Sequence, residues 1–387
     1  MSGIHRGAVA IVGAAETDEL GSLPGMSMLD LHANAALNAL RDAGLTVADV
    51  DGIITAGPMA MEVSDYLGIV PRYLDGTMVG GGSFMLHVRH AAAAIASGAA
   101  DVVLITHGES GRSRVGMPPW NRTPSSLPGQ FEMPYGALAP YSTFTLPALR
   151  FLHDRGMDIR DLAEPVVAQR EWAQRNPRAL KKEPITVDEV MAASPVAYPF
   201  TKDMCCVVTD GGGALVVVSA ERAADLPSAS RAVYLQGSGE SAESPLISQM
   251  DGASSFRSFR LSSQEAFRTA GIRHDDIDHL MVYDAFAHLP LYGLEDLGFV
   301  GHGESADFMR DGHTSPGGRL PMNTNGGGLS YTHTGMYGMF AILESVRQLR
   351  GEAAAQIDGV RVGFVQGVGL FFAAAGALVL SSERELG

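Results

Sequence analysis

The sequence predicts an α/β fold made of two copies of one unit, with a long segment inserted into the first copy. Three observations predict it. Residues 39–54 (ALRDAGLTVADVDGII) align without gaps with residues 266–281 (AFRTAGIRHDDIDHLM), sharing Arg41/Arg268, Ala43/Ala270, Gly44/Gly271, Asp49/Asp276 and Asp51/Asp278. Upstream, residues 8–16 (AVAIVGAAE) are echoed by 232–240 (AVYLQGSGE), and downstream the segment 98–105 has a looser counterpart around 351–365. Finally, roughly residues 110–200 break the pattern. Three matches in one order mark an internal repeat, which decides the architecture before any single element does.

The elements follow in chain order. Residues 8–16 read as a strand ending in a glycine turn. Residues 39–54 read as a helix, a glycine C-cap, an Asp-rich turn and a buried strand, and 266–281 read the same way. Residues 79–90 (VGGGSFMLHVRH) are a glycine-rich turn running into an alanine-rich helix. The segment 110–200 starts rich in Pro, Arg and Tyr and becomes helical over 159–175; a long insertion in a compact fold is usually functional, and it is read as the substrate loop. Strands alternating with helices imply parallel sheets covered on both faces. The division expected is 1–265 for the first half with its insertion and 266–387 for the second, whose first strand begins near 231.

Composition limits the function. A net charge of −15 argues against nucleic acid and anionic membrane surfaces, while leaving room for an anionic substrate at a local basic patch. The hydrophobic share of 46% is ample for a core. The two cysteines, Cys205 and Cys206, are adjacent, which disfavours a structural disulfide and fits a reducing, cytoplasmic location. Residues 1–7 are too brief and polar for a signal sequence. The apolar run 365–380 is broken by Gln366 and several glycines, so it reads as buried strand and turn, with no membrane span. No Cys/His cluster has metal-ligand spacing.

Several motifs give the pattern a family. Residues 203–218 (DMCCVVTDGGGALVVV), 283–286 (YDAF) and 323–338 (NTNGGGLSYTHTGMYG) resemble, in order, the strand closing the loop region, the NEAF segment and the histidine-bearing GHP segment of the thiolase superfamily. The chain looks closest to the sterol-carrier-protein-x and lipid-transfer-protein branch. The resemblance spans essentially the whole chain and implies two βαβαβαββ halves in a five-layer αβαβα arrangement. It implies acyl-CoA as substrate, no permanently bound cofactor, a homodimer, and a small zinc-ribbon/OB-fold partner subunit for some members.

The same resemblance exposes what is missing. The acyl-accepting cysteine of thiolases falls at Gly81 or Gly82, and the second, acid/base cysteine falls near Gln366. Ser83 is the only hydroxyl nearby, with two readings: a helix N-cap or a replacement nucleophile. Cys205 and Cys206 read as core residues on a strand. His333 matches the family histidine that donates to the thioester oxygen, although Thr334 replaces the usual proline and the spacing to Gly335 is one residue short. Tyr283 stands where the family has asparagine, and a phenol can give or take a proton where an amide cannot. Tyr283 is read as the proton-transfer group and His333 as the enolate stabiliser, each also having a reading as a hydrogen-bonded core residue. Asp284 is a catalytic or a loop-bonding residue. Gly81, Gly82, Gly327, Gly367 and Gly369 offer backbone N–H groups for an oxyanion, Tyr331, His288 and His107 are pocket candidates, and Arg112, Arg114 and Arg122 are candidates for CoA phosphates.

Without the cysteine there is no covalent acyl intermediate, but enolate chemistry at a thioester remains. Retro-aldol cleavage of a 3-hydroxyacyl-CoA fits best. Two alternatives stay open: an acyltransferase with a displaced nucleophile, and a non-catalytic acyl-CoA- or lipid-binding subunit. Retro-aldolases of this branch commonly carry tyrosine on the segment where this chain has His333, a departure from their pattern.

Overall fold

The computed structural model describes residues 5–57, 59–117 and 123–386. The strands are β1 (Val9–Glu16), β2 (Gly52–Thr55), β3 (Tyr73–Asp75), β4 (Val102–Ser110), a small hairpin of β5 (Pro195–Ala197) and β6 (Phe200–Thr201), β7 (Asp210–Ser219), β8 (Val233–Ala242), β9 (His279–Val282), β10 (Val362–Gly369) and β11 (Ala374–Ser381). Nine of them pair in the order β3-β2-β4-β7-β1-β8-β11-β10-β9. The left part, 3-2-4-7-1, is mirrored by the right part, 8-11-10-9, and the two meet where β1 pairs with β8. Between them, the helices Ser83–Ala96 and Gly338–Arg350 each touch strands of both halves, while Met28–Ala43 and Arg257–Ala270 cover the outer faces. This is the five-layer arrangement of the thiolase fold.

The repeat does the same physical work twice. Gly44 and Gly271 end their helices in the left-handed conformation, at φ 73° and 67°. Asp51 accepts hydrogen bonds from the N–H groups of Asp101 and Val102, and Asp278 accepts from those of Arg361 and Val362, so each carboxylate pins the start of its neighbouring strand. Gly13 and Gly237 are glycines because the helix outside lies against the strand: a Cβ would stand 2.2 Å from the Ala39 carbonyl oxygen in one half and 2.3 Å from that of Ala266 in the other.

Two expectations are corrected. The sheet is mixed: only β2–β3, β2–β4 and β9–β10 run parallel, while β1, β7, β8 and β11 pair antiparallel with their neighbours. For β10 and β11 the cause is connection length, since a short loop joins them and a tight turn can join only antiparallel strands. Cys205 and Cys206 also do not lie on a strand. They follow the short helical turn Lys202–Met204, and β7 starts only at Asp210, whose carboxylate gathers the N–H groups of Leu23, Arg112 and Ser113.

The insertion folds over the second half. Trp172 donates to the Thr314 carbonyl at 2.9 Å, Arg170 to the Ser330 hydroxyl at 3.0 Å, and Asn176 to the Asn325 carbonyl at 2.9 Å. These bonds tether the segment that carries His333.

Candidate active site

The site forms where the glycine turn of the first half meets three segments of the second. Residues 80–82 interlock with residues 367–370: a Cβ at Gly82 would stand 3.1 Å from the Gly367 carbonyl oxygen, and one at Gly80 would stand 2.9 Å from the Leu370 nitrogen. The turn facing them holds Leu370, Phe371 and Phe372 all at positive φ, of 50°, 59° and 73°. Each such non-glycine residue stores about 1–3 kcal/mol of backbone strain, and strain of this kind collects at functional sites.

The seat of the missing nucleophile is filled. A Cβ built on Gly81 would lie 2.0 Å from Cε2 of Tyr283 and 2.6 Å from its hydroxyl oxygen. The phenol therefore occupies the space a side chain at position 81 would need, with its oxygen close to where that side chain would begin. Tyr283 leaves the end of β9 and is steered by its own backbone, whose N–H donates to Gln366 Oε1 at 3.3 Å. Gln366, at the second-cysteine position, thus orients the tyrosine.

The phenol oxygen lies 3.0 Å from His333 Nε2, and the Tyr337 N–H donates to it at 3.4 Å. The Tyr283 and His333 rings meet edge to face at 5.8 Å. Each residue is only 6% exposed, a narrow opening to solvent. Burial pushes the phenol above its ordinary pKa, partly opposed by the Tyr337 N–H, and pushes the imidazole down to about 4. At neutral pH the pair is phenol plus neutral imidazole. In the tautomer protonated at Nδ1, Nε2 accepts and the phenol donates.

Asp284 lies beside the pair without facing it. Its carboxylate accepts from Gly328 N–H at 2.8 Å and Leu329 N–H at 3.3 Å, holding the one-turn π-helix Gly327–Tyr331 that leads to His333. Burial raises its pKa to about 7, against those two N–H groups. A Cβ at Gly327 would stand 2.1 Å from Asp284 Oδ2, so Gly327 is there for close packing.

Other sequence candidates lie elsewhere or are otherwise occupied. Ser83 is the first residue of its helix, one position past the N-cap, Gly82; its hydroxyl donates to the Gly80 carbonyl at 2.7 Å and accepts from the Val79 N–H at 2.9 Å, which closes the turn. Tyr331 is not brought to the pair: its hydroxyl donates to the buried Glu16 at 2.6 Å, which also pairs with half-buried Arg347 and exposed Arg178. His288 is packed among the rings of Phe144, Phe200, Phe286 and Tyr292, with both nitrogens unpartnered and its pKa lowered to about 3 by burial. His107 bonds the Thr334 hydroxyl at 2.7 Å and so supports the histidine loop from beneath. Gly369 packs on Val79. Arg112 is exposed and Arg114 half-buried beside Glu109; Arg122 lies outside the described residues. Both thiols are unsuited to nucleophilic attack, burial pushing Cys205 up to about 12 and Cys206 higher still.

Two residues escaped sequence reasoning. Tyr337 sits in the glycine-rich segment after His333, and its ring hydroxyl donates to Asn325 at 2.8 Å. Glu109, the penultimate residue of β4, has its carboxyl against Gly335. No motif signals either one, because Tyr337 meets Tyr283 and Glu109 meets Gly335 through contacts remote in sequence.

The fold is of the thiolase type, and at Gly81, where the sequence reading expects the acyl-accepting cysteine, Tyr283 meets His333. Residues 239–382 match the family model described as thiolase C-terminal domain-like. The chain is 34% identical, over 92% of its length and 94% of the relative, to 17-hydroxy-3-oxo-4-pregnene-20-carboxyl-CoA lyase of Mycobacterium tuberculosis. It is 33% identical, over 98% of its length and 99% of the relative, to a steroid side-chain-cleaving aldolase of Thermomonospora curvata. The solved structure "Ltp2-ChsH2(DUF35) aldolase" superposes with a TM-score of 0.91 at 31% identity, covering 99% of this chain and all of the other. The chain belongs to the thiolase superfamily, in its sterol-carrier-protein-like branch. It is a thiolase-like enzyme that makes or breaks a carbon–carbon bond next to an acyl-CoA thioester. No helix among the described residues is long and apolar enough to cross a membrane.

Proposed function

We propose that the enzyme cleaves a bulky, steroid-like 3-hydroxyacyl-CoA by a retro-aldol reaction, releasing a ketone or aldehyde and a shortened acyl-CoA. The observation that carries this reading is the Tyr283 phenol in the nucleophile's seat, hydrogen-bonded to His333. The substrate hydroxyl gives its proton to the Tyr283 oxygen as the phenol passes its own to His333 Nε2. The bond between the α- and β-carbons then breaks, its electron pair entering the thioester as an enolate. Backbone N–H groups of the interlocked turns 80–82 and 367–369 hold the enolate oxygen, and protonation at the α-carbon completes the product. His333 acts on the phenol in this scheme, in place of the thioester contact expected from the family motif. Acyl transfer, the activity named for some relatives, would need a nucleophile, and here Ser83 is engaged in its turn while burial keeps both thiols protonated.

The reading includes a cytoplasmic homodimer with acyl-CoA as substrate, no permanently bound cofactor and a small zinc-ribbon/OB-fold partner. Edge strand β3, with Leu74 exposed and with Val70 and Met78 exposed beside it, supports pairing with a second copy. The exposed apolar side chains of Leu127, Phe131, Tyr135 and Leu138 support a partner docked on the insertion.

The test is mass spectrometry of protein and small molecules after mixing with bulky 3-hydroxyacyl-CoA esters. Free ketone or aldehyde with a shortened CoA ester and no mass added to the protein is the expected result, and Tyr283→Phe is expected to lose about 10²–10⁴-fold in rate while remaining folded. An acylated protein would overturn the reading.

A further inference from the structure

Protonating the enolate carbon needs an acid, and the proton that His333 takes during cleavage sits on Nε2, facing the Tyr283 oxygen at 3.0 Å. Tyr283 holds its proton more tightly than an ordinary phenol. Asp284 is committed to two backbone N–H groups. Gln366, where thiolases place their acid/base cysteine, cannot trade protons near neutral pH.

Glu109 is the remaining group. It is the penultimate residue of β4, on the same strand face as His107, which bonds Thr334, and its carboxyl presses on the next residue, Gly335: a Cβ there would stand 2.3 Å from Oε1 and 2.4 Å from Oε2. Its Oε2 is sealed from water without a hydrogen-bond partner. A buried carboxylate oxygen left bare is costly, and binding a proton relieves that cost. We propose that Glu109 is the proton donor of this site, delivering a proton to the α-carbon of the thioester enolate after carbon–carbon cleavage. The inference rests on the retro-aldol reading. The Glu109 O–H bond breaks as the α-carbon–hydrogen bond forms, and the enolate pair becomes that new bond. The carboxylate is reset by the proton that the substrate hydroxyl gave to Tyr283 and His333, so none is gained or lost over a turnover.

The charges around Glu109 agree with this. Burial raises its pKa to about 7, and Arg114, in the turn after β4, opposes the rise. Tyr283 lies within its electrostatic reach, and across the ladder β7 presents only Gly211. The raised pKa leaves Glu109 protonated in a substantial fraction of molecules near neutrality, so a proton is available there.

The test follows the α-carbon directly. The shortened acyl-CoA product is incubated with the full-length protein in D₂O, and deuterium entering its α-position is read by mass spectrometry; cleavage is measured separately. Wild type is expected to exchange, faster as pH rises through about 7 and the Glu109 carboxylate forms. Glu109→Gln should lose exchange by about 10²-fold or more, Glu109→Asp should keep part of it, and Tyr283→Phe should exchange while failing to cleave. Thermal melts show that each variant is folded. Exchange surviving in folded Glu109→Gln, or wild type that cleaves without exchanging, overturns the assignment. Wild type that exchanges yet cleaves nothing overturns the retro-aldol reading alone.

Discussion

The two halves of the molecule share one design and divide one task. In the first, the strand Gly52–Thr55 is followed by Ala56 and Gly57; at the matching place in the second, His279–Val282 is followed by Tyr283 and Asp284. The backbone plan is the same, including both helix-ending glycines and both strand-pinning aspartates. Their side chains are not. The first half presents a glycine turn with no reactive group and the second sends a phenol into it. The repeat therefore specifies the scaffold, and the site arises where the copies have diverged and meet across the pseudo-dyad.

That division can be broken at its narrowest point. Gly81→Ala should abolish cleavage and lower stability by about 1–3 kcal/mol, the usual range for overpacking, because the new methyl would overlap the Tyr283 ring. Adding Tyr283→Ala should recover most of the lost stability but no activity. Urea unfolding of both single variants and the double variant measures the coupling, and additive costs would mean that the seat and the phenol do not compete for one space.

A second comparison concerns the carboxylate that only the second half carries. Asp284 keeps its proton up to about pH 7 in the fold, against an ordinary value of 3.8. Between those values the folded state binds more protons than the unfolded chain, so stability falls as pH rises through the window. Asp284→Asn should flatten that fall by roughly 1–3 kcal/mol between pH 5 and 8, read from unfolding curves at each pH. An unchanged slope would place the titration elsewhere.

The smallest effect tests the symmetry itself. Asp51→Ala and Asp278→Ala remove matching acceptors and should each cost about 1–2 kcal/mol in urea unfolding, within about 0.5 kcal/mol of one another, since the exposed Arg72 pair of Asp51 adds little. Unequal losses would show that the repeat keeps its sequence signature without keeping its energetics.

The duplication, the helix ends, the paired aspartates and the empty nucleophile position could all be read along the chain, since each depends on residues close in sequence. His333 was legible from its motif and Tyr283 from the segment it replaces. Their partnership was not, because it joins residues 50 apart in sequence and needs the turn at Gly81, about 200 residues away, to leave room. Ser83 and Tyr331 are the right residue types for a site, yet the fold binds their hydroxyls to Gly80 and Glu16. Glu109 carries no local signal at all. The sequence by itself determined the scaffold, whose periodicity, caps and turns are local chemistry written twice. Only the tertiary structure decided which polar groups are stripped of water and set against one another, because desolvation and side-chain contact depend on where distant segments pack.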